Sequence, residues 1–186
     1  MTSIILPSNA TDPSQIVSST LPTTRVNSST GLPSGGAALQ NGDRWYKPTT
    51  GEEGFWNGTL WLSTTVYTNV WAVLTLTVSG NGSSITTPVF GGADASIWFE
   101  KFVVNGTFAS PQDGSNYRTF TVVANTGSST ILATANSIGL TNRAKIIRPI
   151  NVAAPTHSIG LSVGFVGSPG AITSFGMTVF YREIFS

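Results

Sequence analysis

The sequence predicts an all-β protein with an extended N-terminal arm, a small β-hairpin element and an antiparallel β-sandwich head of jelly-roll type. Short runs of alternating apolar and polar residues recur after residue 64, and Gly, Asn and Pro separate them. No stretch carries a convincing helical stripe, and the first 41 residues show no helical period. We therefore expect an attachment arm over residues 1–41, a hairpin neck over 42–63 and a head over 64–186.

The composition is that of a charge-poor β protein. Hydrophobic residues make up 40% of the chain and charged residues 9%, and the formal net charge is +1. Since the nine Lys and Arg residues are scattered, we expect no nucleic-acid partner. The absence of cysteine excludes disulfides and Cys-based zinc sites. We expect neither membrane insertion nor a secretory signal, because no apolar run is long enough for either.

The N-terminal segment begins with a short apolar patch, Ile4, Ile5 and Leu6, which ends at Pro7. Such a patch is suited to β-strand addition or to anchoring on a partner. Residues 8–41 carry only Asp12 and Arg25 as charges and cannot bury enough apolar area to fold alone. Two interpretations stay open, a mobile terminus and an arm that runs along a larger assembly.

The stretch from Gly42 to Ser63 holds three of the five tryptophans. We predict strands at 44–47, from 55 and at 59–62, with turns at Pro48–Gly51 and at Asn57-Gly58. Trp45, Trp56 and Trp61 are expected to form the core of this small sheet. Exposed tryptophans with a binding role are the alternative.

The head is expected to contain about nine strands. They are predicted at 64–67, 70–78, 85–90, 96–108, 116–124, 130–134, 144–152, 159–166 and 171–185. Asn105-Gly106 indicates a hairpin or a bulge. Pro149 must lie at a sheet edge or at a bulge, because proline donates no ladder hydrogen bond.

No constellation of residues indicates an enzyme. The single histidine, His157, would need an aspartate for a catalytic triad, and no GxSxG motif is present. The aspartates considered are Asp12, Asp43, Asp94 and Asp113. The neighbouring Glu52 and Glu53 would point apart. We expect Glu100 and Glu183 to form charge pairs with Lys101 or Arg182 rather than a hydrolytic carboxylate pair.

Neither a metal nor a cofactor is expected. The two loops with the best potential for calcium, 91–94 and 112–116, hold one carboxylate each, whereas calcium sites need several oxygen ligands. No dinucleotide or phosphate-binding motif occurs.

Binding of a sugar requires fewer specialised groups than catalysis or metal binding does. It requires an aromatic face and hydrogen-bonding side chains on loops. The candidate faces are Trp71, Trp98 and Tyr117, although core positions for Trp71 and Trp98 are the alternative. The candidate polar partners are Asn81, Asp94, Asp113, Asn116 and Arg118.

The pattern GDxWY…TTGxxxFWNGTxWLS over Gly42–Ser63 resembles an element in tail-fibre and related fibre-type proteins of bacteriophages, especially those of cyanobacterial hosts. Three segments of the head, 100–104, 115–119 and 177–182, are also similar to such proteins. The resemblance implies a homotrimer whose head binds a host-surface receptor, often a glycan. It also implies that the N-terminal arm attaches to another virion protein. Such a protein is made in the host cytoplasm and becomes part of the virion.

Two alternatives remain. A capsid-decorating, cement, neck or baseplate protein would also combine an arm with a β head, but would be held at both ends and would bind no receptor. A carbohydrate-binding module of an enzyme would require a catalytic domain in addition.

Overall fold

The computed structural model describes residues 26–29, 31–33, 39–76, 82–88, 96–110, 112–125, 128–155 and 158–185. Most of the predicted arm lies outside these residues. So do several residues selected from the sequence: Ile4, Ile5, Leu6, Asp12, Asn81, Asp94 and His157.

The described part of the chain is built from β-strands, which confirms the predicted all-β class. It contains no helix, and so none that is long and apolar enough to cross a membrane. The strands are β1 (Val26–Ser28), β2 (Arg44–Lys47), β3 (Glu52–Trp56), β4 (Trp61–Ser63), β5 (Tyr67–Leu76), β6 (Gly82–Pro88), β7 (Ser96–Phe108), β8 (Tyr117–Asn125), β9 (Ser129–Asn136), β10 (Asn142–Pro155), β11 (Ser158–Val166) and β12 (Ile172–Phe185).

The chain divides into two compact units. One comprises Met1–Thr65 with Ile184–Ser186, and the other comprises Val66–Glu183. The division after Thr65 lies two residues from the boundary expected between neck and head. Ile184 and Phe185, at the end of β12, group with the first unit.

The first unit is a small sheet. Strands β2, β3 and β4 pair antiparallel in that order, β1 joins β2 in parallel, and the last residues of β12 pair with β4. The connection from β3 to β4 is longer than the predicted two-residue turn. It spans four residues because the Asn57 side-chain oxygen accepts hydrogen bonds from the backbone N–H groups of Thr59 (3.0 Å) and Leu60 (2.8 Å).

Two of the three tryptophans of this sheet are buried. Trp45 and Trp61 are 3% and 4% exposed, whereas Trp56 is half-buried. The Trp45 indole N–H donates to Ser29 Oγ (3.1 Å), and that of Trp61 donates to the Pro33 carbonyl (3.3 Å). Each buried ring therefore satisfies its polar atom while it contributes apolar area.

The second unit consists of two four-stranded antiparallel sheets with the strand orders β5-β12-β7-β10 and β6-β11-β8-β9. Eight consecutive strands distributed in this way form a jelly roll, which confirms the predicted head architecture. The short strand predicted at 64–67 is wrong, since Thr64 to Val66 are not in a strand and β5 begins at Tyr67.

Three aromatic rings connect the two sheets in the core. Phe175 on β12 lies edge-to-face with Trp71 on β5 (5.5 Å between centroids) and stacks with Phe120 on β8 (5.8 Å). The alternation predicted for β8 is observed in full, because Arg118, Phe120 and every second residue after them are buried. A period of two thus places one face of the strand in the core.

Asn105-Gly106 is not a hairpin turn, because β7 continues through it to Phe108. Gly106 faces the interior, where a Cβ atom would lie 2.8 Å from Ile172 Cγ2. The bulge lies instead in the neighbouring strand β12, where the register shifts between Thr173 and Gly176 and Ser174 adopts a φ of 51°.

The expectation for Pro149 is confirmed. Its strand, β10, ends the sheet order, and its register with β7 shifts directly after Pro149. The missing N–H therefore interrupts no regular ladder.

Replacing the buried Trp61 of the first unit should cost more stability than replacing its half-buried neighbour Trp56. We expect Trp61→Ala to lower the free energy of unfolding by about 3–5 kcal/mol, because it leaves a large cavity. Trp56→Ala, whose ring contacts Trp61 at 5.7 Å, is the matched control and should cost about half as much. Chemical denaturation followed by circular dichroism measures both. Equal losses would contradict the difference in burial.

Candidate functional site

Three loops of the second unit meet at one end of the jelly roll. They connect β7 to β8 (residues 109–116), β9 to β10 (137–141) and β11 to β12 (167–171). The strand registers bring them together, because Phe108 at the end of β7 pairs with both Asn142 and Ile172. Residues 77–81, between β5 and β6, are outside the described ranges.

Gln112 joins all three loops. Its side chain is buried, and Nε2 donates to the carbonyl oxygens of Ser110 (3.0 Å) and Pro169. Its Oε1 accepts a hydrogen bond from Ser137 Oγ (3.1 Å). Its backbone N–H donates to the Leu140 carbonyl, and its own carbonyl accepts from the Gly139 N–H. One amide side chain thus satisfies the polar groups of three segments in a buried position.

Ser137 and Arg118 extend this network, and both are fully buried. Ser137 Oγ accepts from the Arg118 backbone N–H (2.9 Å), and the Ser137 N–H donates to the Arg118 carbonyl (3.0 Å). The guanidinium Nη2 of Arg118 donates to the Gly170 carbonyl (2.9 Å). Burial lowers the pKa of Arg118. A guanidinium remains charged at neutral pH, so a positive charge lies beneath the loops.

Asp113 and Asn116 shape the exposed part of the first loop. Asp113 Oδ1 accepts from the backbone N–H groups of Ser115 and Asn116, both at 2.8 Å, and from Asn116 Nδ2 at 3.2 Å. These hydrogen bonds lower the pKa of Asp113 because they stabilise its ionised form, and the bond from the Ser115 N–H has the largest effect. Asn116 Oδ1 accepts from the Ser168 N–H (2.9 Å), which ties the loop to the one before β12.

Two glycines allow the loops to approach so closely. Gly167 has a φ of 64°, and a Cβ atom there would overlap the Ser115 carbonyl oxygen. Gly170 has a φ of 72°, and a Cβ atom there would overlap Ser110 Oγ. Both positions require glycine for the backbone conformation and for space.

The residues predicted to bind a receptor do not form one site. Asp113, Asn116, Tyr117 and Arg118 lie at this loop end, with Arg118 buried beneath it. Trp71 lies in the core at 8% exposure, the alternative that the sequence left open.

Trp98 lies near the other end of β7, where it pairs with Arg182, and is half-buried. The sequence analysis missed the structural roles of Gln112 and Ser137. Neither residue carried a signal, since isolated Gln and Ser residues are common in polar loops.

The carboxylates considered for catalysis have other partners. Glu100 pairs with Arg182 across β7 and β12, as the sequence predicted. Glu52 pairs with Lys47 at 3.1 Å, and Asp43 is buried and accepts from the Gln40 N–H. Among the described residues, no group of three or more His, Cys, Asp or Glu side chains is arranged to hold a metal ion.

The comparisons with known proteins give only remote similarity. No family model and no curated protein matches the chain. Latent PorU from Porphyromonas gingivalis matches with 9% identity and a TM-score of 0.37, over 63% of this chain and 13% of that one. A viral particle of infectious bursal disease virus matches with 15% identity and a TM-score of 0.34, over 64% of this chain and 36% of that one.

The Drosophila NLP core matches with 12% identity and a TM-score of 0.32, over 64% of this chain and 99% of that one. This chain thus spans well under two thirds of the PorU and viral chains. Likeness this remote indicates neither a family nor a function.

The close packing of the loops predicts different costs for two glycine substitutions. Gly139 has a φ of 80° but open space around it, so Gly139→Ala should lower the free energy of unfolding by about 1 kcal/mol through backbone strain alone. Gly167→Ala adds an overlap with a backbone oxygen and should cost about 3–4 kcal/mol. Urea denaturation of both variants measures the difference. Similar costs would show that the two loops are not packed as described.

Proposed function

We propose that this chain is a fibre or spike protein of a bacteriophage-like particle, whose jelly-roll head binds a host-surface glycan through its loop end. The observation that carries the proposal is the buried network of Gln112, Ser137 and Arg118. It holds three loops in one arrangement before any ligand arrives. A preorganised surface loses less conformational entropy on binding, which is the main requirement of a recognition site built from loops.

The exposed groups at the loop end fit recognition of a sugar. Asp113, Gly114 and Ser115 are exposed at the tip of one loop, Ile138 in the second and Ser168 in the third. Ile138 is 44% exposed and offers an apolar contact between polar groups. Hydroxyl, carboxylate and backbone groups at the loop tips provide hydrogen-bond partners for sugar hydroxyls, and Ile138 provides the apolar contact in place of an aromatic face.

The trimer and the attachment arm of this proposal come from the resemblance of Gly42–Ser63 to phage fibre proteins. Low charge and the lack of cysteine support a trimer, since an interface between copies would bury further apolar area. The location of the protein is then the virion, with the arm bound to another virion protein. The competing proposal is a cement protein, which binds neighbouring subunits of a particle and holds them together.

Binding of the full chain to an array of bacterial surface glycans tests receptor recognition. We expect binding, and we expect Asp113→Ala to weaken it about tenfold, because the hydrogen bonds that shape the loop tip are lost. Glu53→Gln, an exposed charge in the first unit, is the control and should bind like the wild type.

The mass of the full chain by light scattering, measured on the same sample, tests the trimer. A monomer that binds no glycan would overturn the proposal in favour of a cement protein.

A further inference from the structure

A second polar depression lies on the outer face of the sheet β5-β12-β7-β10. It is an open groove of about 800 Å³, and its polar lining consists of Asn105, Thr107, Arg143, Lys145 and Ser174. None of these residues entered the sequence-based search for a site as a binding residue. The groove belongs entirely to the second unit.

The strand register explains why these side chains gather. Arg143 pairs with Thr107 and Lys145 pairs with Asn105, so two rows of polar side chains cross β10 and β7. Residues two apart on a strand face the same side, about 7 Å from each other. The row of Lys145 and Asn105 continues to Gly176 on β12, which pairs with Asn105 and carries no side chain.

The bulge in β12 forms the remaining wall. The register shift between Thr173 and Gly176 turns Ser174 outward with a φ of 51°, and Ser174 is exposed. Ser174 thus adopts a left-handed backbone conformation, which residues other than Gly, Asn and Asp rarely adopt. Such outliers cluster at functional sites, and this one supplies a hydroxyl group to the lining.

The groove carries two positive charges and no acidic lining residue. Arg143 and Lys145 are both exposed, and no ion pair joins either of them to an acidic side chain within the described ranges. Two described carboxylates of this unit have other partners, because Glu100 pairs with Arg182 and Asp113 binds within its own turn. The groove therefore attracts an anion.

We infer that this groove binds the acidic group, carboxylate or sulfate, of a negatively charged carbohydrate. Arg143 and Lys145 hold the acidic group, and Asn105, Thr107 and Ser174 bond the neighbouring sugar hydroxyls. This inference rests on the proposed function and narrows its ligand to acidic glycans. A nucleic acid fits less well, since tracking a phosphate backbone requires a longer series of cations.

The test is titration calorimetry of the full chain with three hexasaccharides: carrageenan, which carries sulfate and no carboxylate, polygalacturonate, which carries carboxylate and no sulfate, and neutral maltohexaose. We expect the two acidic probes to bind, with an affinity that falls as NaCl is added, and the neutral probe to bind at least about tenfold more weakly. A difference between the two acidic probes identifies whether sulfate or carboxylate is preferred.

Two variants localise the binding. Arg143→Gln/Lys145→Gln should weaken the acidic probes about tenfold or more, whereas the charge-matched control Arg44→Gln/Arg148→Gln should not. Gly176→Gln keeps the charge and should also weaken binding, because the strand register places the new side chain next to Asn105 of the groove lining. A Cβ atom at Gly176 meets nothing closer than the Trp71 carbonyl oxygen at 3.7 Å, so the change leaves the fold intact.

The outcomes separate the inference from the proposed function. Acidic probes that bind equally to wild type, groove variants and control would overturn the groove while leaving glycan recognition in place. Equal losses in the groove variant and in the control would show attraction by net charge alone and would also overturn it. Tighter binding of a single-stranded DNA oligonucleotide than of either acidic sugar would replace the carbohydrate with a nucleic acid. A chain that binds no sugar on the array or in the calorimeter would refute both.

Discussion

The arrangement of the loop end depends on one buried amide. Gln112 is enclosed by three loops, and its side chain bonds to Ser110, Pro169 and Ser137. An unsatisfied polar group in such a position costs about 1–3 kcal/mol, so displacing one of the loops from Gln112 raises the free energy of the whole loop end by about that amount. This requirement makes the loops cooperative. The buried charge of Arg118, bonded to Gly170, imposes the same condition on the loop before β12.

The jelly roll beneath the loops supplies the rigidity that this network requires. Phe175 connects the two sheets through its contacts with Trp71 and Phe120, and Phe108 brings the ends of three strands together. The same sheet exposes Arg143 and Lys145 on its outer face. The head thus presents polar groups of two kinds, a loop end with one exposed carboxylate and a groove with two cations. This combination suits a ligand that carries both hydroxyl and acidic groups.

Much of the fold was predictable from the sequence, and the reasons are local. The period of two in β8 fixed its buried face. The bounds of β7 were predicted correctly because apolar and aromatic residues recur from Ile97 to Phe108, although three buried residues in succession interrupt the period in the middle of the strand. The strand order was not encoded locally, since alternation does not say which strand pairs with which. Asn105-Gly106 was wrongly predicted as a hairpin or bulge, because the glycine is needed there for close packing against Ile172 and does not form a turn. Asp113 and Asn116 were found through their turn composition, whereas the role of Gln112 arises only from three distant segments.

Hydrogen exchange of the full chain tests most directly whether the loop end is a fixed surface. The amides of Gln112, Ser137 and Gly139 donate within the network although they lie outside the strands. The structure predicts that they exchange about as slowly as the amides of the core strand β8. It also predicts that Gln112→Ala increases the exchange rates of the amides in all three loops together. Exchange at the rate of exposed loops in the wild type would contradict a preorganised recognition surface.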